Sequence, residues 1–257
     1  MSSFDEIALA YDNSIDWNAR LKREVPFLLE SLEKSEGNHV LDMACGTGRH
    51  SVELAAHEKK VVGFDSSQAM IGVAKSLAQE REVSVDFHVA DMLDFRSSVD
   101  GPFDEVLCLG NSLALLPSIS DLKQVVTSVH SVLRPGGTFI AQVLNFKEIL
   151  STGFRFFPIK GGVTRNKEEV IFSRFYEHGE EEHSTLVACS FVKQNRDWVT
   201  RISTQSVLHT DMELMRDLLE SAGFSKPEFF SDFSQSPFHP LLSRSIVLRA
   251  GCPQRNE

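Results

Sequence analysis

The 257-residue chain predicts an α/β fold: a doubly wound, seven-stranded, mostly parallel sheet with an inserted antiparallel β cap. Three observations lead there. Short apolar runs alternate with helical periodicity through residues 1–150, as in a parallel sheet covered on both faces. The first of those runs breaks into a Gly-x-Gly turn. From residue 168 the helical signal gives way to β-prone, partly alternating segments separated by polar turns. With 42% hydrophobic residues the chain can bury one substantial core.

In order along the chain, Trp17, Leu21, Val25, Leu28, Leu29 and Leu32 fall at helical spacing between Ile15 and Glu33, despite Pro26. Strands are expected at 39–44, 61–65, 83–89, 104–109 and 137–144. Between them, Met70, Ile71, Ala74, Leu77 and Ala78 mark one helix face, and Leu122, Val125, Val126, Val129 and Leu133 another. Arg134-Pro135-Gly136-Gly137 stops that helix and turns into the fifth strand. Residues 168–177, 184–193 and 197–208 read as an antiparallel meander, with Gly179-Glu180-Glu181-Glu182 and Gln194-Asn195-Arg196 as its loops. Thr210-Asp211-Met212-Glu213 reads as a capping box, and its helix stops at Gly223. Strands at 227–233 and 244–250 complete the pattern. The division is therefore a main domain of 1–150 with 209–257, and an inserted cap of 151–208.

Composition narrows the function. The formal charge is −10 and no Lys/Arg run stands out, which disfavours a nucleic-acid partner. Cys45, Cys108, Cys189 and Cys252 are scattered without a C-x-x-C pair, as for reduced thiols in the cytoplasm rather than a disulfide framework or zinc site. The N-terminus lacks a signal-peptide apolar core, and no apolar run reaches membrane-spanning length. The expectation is a soluble, cytoplasmic protein. There is no His-Glu-x-x-His; His178 and His183 could pair across a hairpin, but such pairs are usually solvated surface, so no metal is expected.

The stretch Val40-Leu41-Asp42-Met43-Ala44-Cys45-Gly46-Thr47-Gly48-Arg49 runs strand, acid, glycine turn, then helix-compatible sequence. Glycine lets the backbone N–H groups approach a ligand closely. A second acid, Asp65, ends the next apolar run, where a carboxylate can accept both hydroxyls of a ribose. Asp65 could instead cap the following helix, as could Ser66 and Ser67. A dinucleotide site wants a third small residue where Ser51 stands, and Asp42 would repel a pyrophosphate. Asp42 suits a cofactor with a cationic amino-acid tail. Asp91 is the first polar residue past the third strand and could meet an adenine amino group, with the Met92 N–H reaching a ring nitrogen; Asp94 is the competing acid. Met70 could pack on the adenine or be plain core.

Leu-Asp-x-Ala-Cys-Gly-Thr-Gly resembles the first motif of class I S-adenosylmethionine (SAM)-dependent methyltransferases, a Rossmann-like fold. Cys108-Leu109-Gly110-Asn111-Ser112, Leu133-Arg134-Pro135-Gly136-Gly137 and Asn145-Phe146-Lys147-Glu148-Ile149-Leu150 extend the resemblance, over residues 10–150, to glycine N-methyltransferase and its relatives. The resemblance implies SAM as cofactor. Tyr11, Trp17 and Arg20 would close over it, with Arg20 a candidate partner for its carboxylate. The loop residues Ala44, Cys45, Gly46 and Gly48 would line it, as would Asp65, Ser66, Asp91, Met92, Leu109 and Ser112. One position departs from that pattern. Where the glycine enzyme has an arginine that holds the substrate carboxylate, this chain has Leu144, which cannot replace a bidentate fork. Glycine is thus expected to be a poor acceptor; were it used, a cation of the meander such as Arg174 or Arg201 would have to clamp it.

The reading is a SAM-dependent methyltransferase acting at N or O of a small molecule, with the meander as a lid. The alternatives are a tRNA or protein methyltransferase, or a non-catalytic SAM- or nucleotide-binding regulator. No pattern for methylating planar amino groups follows the fourth strand, and Cys108 is not followed by the proline of a pyrimidine-C5 nucleophile. Asn111 and Asn145 are expected to orient the acceptor, with Tyr176 and His178 reaching down from the cap. Phe154, Phe156 and Phe157 are expected as cap core or as a gate over the substrate. Monomer and small homo-oligomer stay open.

Overall fold

The computed structural model describes residues 12, 15–163, 167–179 and 182–254. Helix α1 (Trp17–Lys34) starts where the Asp16 side chain accepts from the Ala19 N–H, and Pro26 sits within it. Strand β1 (His39–Met43) follows, then α2 (Arg49–Ala56), β2 (Lys60–Asp65), α3 (Gln68–Glu80) and β3 (Asp86–Val89). Strand β4 (Phe103–Cys108), α4 (Ile119–Val132), β5 (Leu133–Leu144) and α5 (Phe146–Thr152) complete the first half. Four strands come next: β6 (Lys160–Val163), β7 (Glu169–His178), β8 (His183–Gln194) and β9 (Asp197–Leu208). Helix α6 (Met212–Ser221), β10 (Ser225–Phe230) and β11 (Ser245–Gly251) follow. Among the described residues no helix is long and apolar enough to cross a membrane.

The main sheet has seven strands in the order β10-β11-β5-β4-β1-β2-β3. Only β11 runs against the others, pairing antiparallel with both β5 and β10. Alternation sorts the side chains. Val40, Leu107, Ile140 and Val247 pack under Leu28 and Leu32 of α1, while Leu41, Val106, Phe139 and Leu248 pack under α4 and α6. Apolar residues on both faces explain why the strands read as near-continuous hydrophobic runs. Strand β1 lies between β4 and β2, so the chain leaves it in both directions. That makes its C-terminal end the topological switch point, where ligands bind in such sheets.

The second sheet, β6-β7-β8-β9, is antiparallel throughout. Ala114, Phe146, Ile149, Tyr176 and Val207 form the apolar cluster that fastens it to the main sheet. Three elements differ from the sequence reading. Strand β6 had no periodic signal, because Gly161 and Gly162 occupy half of it and its pairing with β7 supplies the order. Helix α5 was unmarked; a seven-residue helix ending at left-handed Gly153 offers too little periodicity to read. The N-cap of α6 is Asp211, whose side chain accepts from the Leu214 N–H, rather than Thr210. Thr210 is taken by the sheet, its hydroxyl donating to the Leu144 carbonyl at 2.8 Å.

Candidate active site

Between β1 and α2 the chain turns through Ala44, Gly46 and Gly48 at φ of 52°, 57° and 72°. Asp65, ending β2, locks this turn: its Oδ2 accepts from the Gly46 N–H and its Oδ1 from the Ser67 N–H, each at 2.9 Å. The Cys45 N–H donates to the Phe64 carbonyl at 2.9 Å. A Cβ added at Gly46 would meet nothing within 4 Å, so this part of the loop faces an open cleft. Gly48 differs. A Cβ there would lie 2.7 Å from the Ala74 Cβ and from the Phe87 ring, so Gly48 serves helix–sheet packing and does not line the ligand site as expected.

Three adjoining cavities follow the C-terminal edge of the strands. The first, of about 450 Å³, is walled by Asp65, Ser66, Met70, Asp91, Met92 and, from the cap, Gln205. The second, of about 160 Å³, is walled by Trp17, Arg20, Asp42, Cys45, His50 and Leu109. Ala44, Gly46, Met70 and Ser112 border both. The third, of about 380 Å³, takes in Arg23, Glu24, Asn111, Gln142, Leu144, Phe157, Lys160 and Arg174. It shares Ile15, Arg20 and Gly110 with the second.

Charged side chains line both the middle and the third cavity. Asp42 is 2% exposed and accepts from the Ser51 hydroxyl at 2.5 Å; burial pushes its carboxyl above the ordinary range. Glu24 is also 2% exposed, and burial opposes its ionisation. The hydrogen bond from His50 at 2.8 Å and the charge of Arg20 at 3.0 Å outweigh that cost and hold Glu24 below its ordinary value. Asp12 accepts from the Thr47 hydroxyl at 2.6 Å, pairs with Arg49, and takes the Trp17 indole N–H on its backbone carbonyl. Arg20 in turn lies over the Trp17 ring at 4.9 Å. Asp12, ahead of α1, is thereby tied onto the glycine loop. Tyr11, expected to join it, lies outside the described residues. Burial pushes the thiols of Cys45 and Cys108 well up, so neither is a ready nucleophile.

The acceptor side corrects three expectations. Asn145 is fully buried and lines none of the three cavities; its amide nitrogen donates to the carbonyls of Pro240 and Ser243, tying the end of β5 to the loop before β11. Tyr176 is 1% exposed, packed edge-on against Phe146 and Phe157 where the cap meets the main sheet. His178 sets Nδ1 against the Ser184 hydroxyl at 2.9 Å and donates from Nε2 to the Phe154 carbonyl at 2.8 Å. Tyr176 and His178 share the inner cap face with Arg174 but stand further along β7, over the joint instead of the cavity. His183 faces the Pro117 carbonyl, so the two histidines form no pair. Asn111 does border the third cavity, at φ 72°, with its carbonyl oxygen accepting from the Leu144 N–H at 2.7 Å.

Other wall residues escaped the sequence reading. Gln142 had a signal, a polar residue inside the apolar run of β5. Glu24 had one too, an acid on the buried face of α1 spaced i, i+4 from Arg20. Lys160 and Gln205 had none, since only strand pairing brings them to the site. Of the three phenylalanines, Phe157 borders the third cavity, Phe154 packs edge-on against the Phe157 ring, and Phe156 is 68% exposed.

Residues 40–137 match the methyltransferase domain family. A glycine/sarcosine N-methyltransferase from Parasynechococcus marenigrum (strain WH8102) is 33% identical over 158 residues, covering 62% of this chain and 56% of that protein. The dTDP-4-amino-2,3,4,6-tetradeoxy-D-glucose N,N-dimethyltransferase of Saccharopolyspora spinosa is 31% identical over 156 residues, covering 61% of this chain and 58% of that one. The chain spans about half the length of the curated relatives it matches. Among solved structures, a SAM-dependent methyltransferase from Clostridium acetobutylicum superposes with a TM-score of 0.77 over 93% of each chain, at 18% identity, a likeness of fold. With the glycine loop at the switch point of a sheet in this strand order, residues 40–137 match a methyltransferase domain, on a fold shared with SAM-dependent methyltransferases.

Proposed function

We propose that the protein transfers the methyl group of SAM to a nitrogen of a small-molecule acceptor. The observation that carries this is the run of three adjoining cavities, two around the glycine loop and one beyond Gly110. SAM, when bound, supplies a methyl group already activated on a sulfonium; the chain's part is to bind, orient and desolvate. Asp65 holds the glycine loop by accepting the Gly46 and Ser67 N–H groups, and its carboxylate borders the first cavity, where the ribose hydroxyls would lie. Asp91 and Met92 border the same cavity at a position suited to the adenine edge. Asp42 would meet the ammonium of the methionyl tail, and Arg20 its carboxylate.

Nitrogen is favoured as the acceptor atom because the two sequence relatives named above are amine methyltransferases by name. The two acids bordering the third cavity among the described residues are engaged, Glu24 by Arg20 and His50 and Asp16 by the Ala19 N–H, so we assign neither as a general base. An amine that arrives deprotonated needs none, and positioning alone can lower the barrier by on the order of 7 kcal/mol in well-oriented cases. Asn111 is the orienting residue we assign, through the amide nitrogen that its bond to Leu144 leaves unused. We take 1–150 with 209–257 as the methyl-transfer domain and 151–208 as its lid; Gln205, Lys160 and Arg174 on the cavity walls support that division. Calorimetry with S-adenosylhomocysteine tests the cofactor site. Asp65→Ala should weaken binding by about 1–3 kcal/mol through lost charge-assisted hydrogen bonds. Tight NAD binding with no S-adenosylhomocysteine signal would overturn the proposal.

A further inference from the structure

The acceptor cavity carries a charge imbalance that methyl transfer itself does not require. Arg20, Arg23, Lys160 and Arg174 border it, against Asp16 and Glu24. On the α1 side the charges answer one another. Glu24 takes Arg20 at 3.0 Å, Arg23 at 3.6 Å and His50 at 2.8 Å, and Asp16 caps the helix. On the cap side, the described residues bordering the cavity are Phe157, Lys160 and Arg174, with no acid among them.

Register brings the two cations together. Lys160 pairs with Phe172, and Arg174 stands two residues further along β7. Both therefore project from the inner face of the cap sheet as diagonal neighbours, about 7–8 Å apart at the backbone. The Arg174 guanidinium lies 4.1 Å from the Phe157 ring centroid, and the Phe157 N–H donates to the Arg174 carbonyl at 3.1 Å, so the two residues are held side by side. Both cations already make interactions within the protein, but three N–H groups on one and five on the other can be shared with a ligand. The opposite wall, Gly110, Asn111 and Leu144, is neutral.

We propose that Lys160 and Arg174 form an oxyanion clamp: the acceptor carries a carboxylate or phosphate group bound between them, while its methyl-accepting nitrogen lies toward Gly110 and Asn111. A forked guanidinium beside an ammonium, backed by an aromatic ring, is matched to planar or tetrahedral oxyanions. Leu144 then supplies shape, and specificity for the charged end comes from the lid. This inference rests on the assignment of the third cavity as the acceptor site.

The test uses the full chain saturated with S-adenosylhomocysteine, titrated with acetate and with inorganic phosphate at constant ionic strength. Binding is followed on the side-chain N–H resonance of Arg174. The expected result is saturable binding of at least one probe, the tighter one identifying the anion class. Lys160→Ala combined with Arg174→Ala should weaken it about tenfold or more, and Arg174→Lys, which keeps the charge but loses the fork, should fall between. Arg201→Ala, on the same sheet face but outside the cavity, should leave probe affinity unchanged. S-adenosylhomocysteine affinity should stay within about twofold in all variants. Should the Ala pair fail to fold, Arg174→Lys alone decides. No saturable probe binding to protein that holds S-adenosylhomocysteine, or equal binding by wild type and variants, overturns the clamp and leaves the cofactor reading standing. Failure of S-adenosylhomocysteine itself to bind overturns that reading instead.

Discussion

By sequence Asp42 is expected beside the cationic tail of the cofactor and His178 over the acceptor, and their surroundings separate them. Burial holds the Asp42 carboxyl above its ordinary value, and a cationic ammonium beside it favours the ionised form. Binding of S-adenosylhomocysteine should therefore release a proton from Asp42. Affinity should rise with pH until Asp42 is ionised in the free protein, then level off. Calorimetry in buffers of different ionisation enthalpy measures the proton directly; Asp42→Asn should abolish the release and bind more weakly at neutral pH. A wild type whose affinity ignores pH would count against this role. His178 bridges the Ser184 hydroxyl and the Phe154 carbonyl. His178→Ala should cost about 1–3 kcal/mol of stability by stripping buried partners, while turnover changes only a few-fold. A loss of several orders of magnitude in turnover with both substrates still binding would make His178 a general base after all.

At the scale of elements, the cap sheet is held to the main sheet by a small apolar joint. Phe146 of α5 meets the Tyr176 ring at 5.4 Å and stacks on His209 at 4.7 Å, just after β9. Tyr176→Ala should destabilise the protein by about 3–5 kcal/mol, as for a large aromatic removed from a core. If the cap and the main sheet unfold as one unit, a single transition should shift; if the joint is all that couples them, the far-ultraviolet signal should split into two. Asp211 makes a smaller contribution at the start of α6. Asp211→Ala should lower stability by about 1 kcal/mol, and Thr210→Ala should act instead through the lost bond to Leu144. Equal effects of the two on α6 amide exchange would refute that separation.

For the whole molecule, the distinctive feature lies away from the cavities. Glu105 of β4 is fully buried beneath α1, with the Ser31 hydroxyl of that helix beside it. Burial pushes it up to about 8, against the Ser31 hydroxyl and the more distant Arg249 charge, which lower it. Between its ordinary value of 4.5 and about 8 the folded protein binds a proton that the unfolded chain does not. Stability therefore falls as pH rises through that window, by at most about 5 kcal/mol at 1.36 kcal/mol per pH unit. Glu105→Gln should flatten the profile and raise the melting temperature at pH 8 while leaving pH 5 nearly unchanged. A variant no more stable than wild type at pH 8 would mean that Glu105 is already compensated.

Local sequence determined the order of strands and helices in the main sheet, the glycine loop and the two acids, Asp42 and Asp65, that flank it. Those signals are short in range. Apolar periodicity reports burial, and a strand followed by Gly-x-Gly and a helix start has few other conformations open to it. The acceptor end was much less legible. Arg174 and Tyr176 occupy the same face of the same strand, two residues apart, and nothing in their local sequence says which one stands over a cavity and which over the joint. Lys160 and Gln205 reach the site only through pairing across the cap sheet, and Asn145 was drawn away by the carbonyls of Pro240 and Ser243, nearly a hundred residues distant. A cleft built on one turn is written in consecutive residues, whereas the third cavity exists only where two sheets and α1 converge, and tertiary packing alone decides which side chains face it.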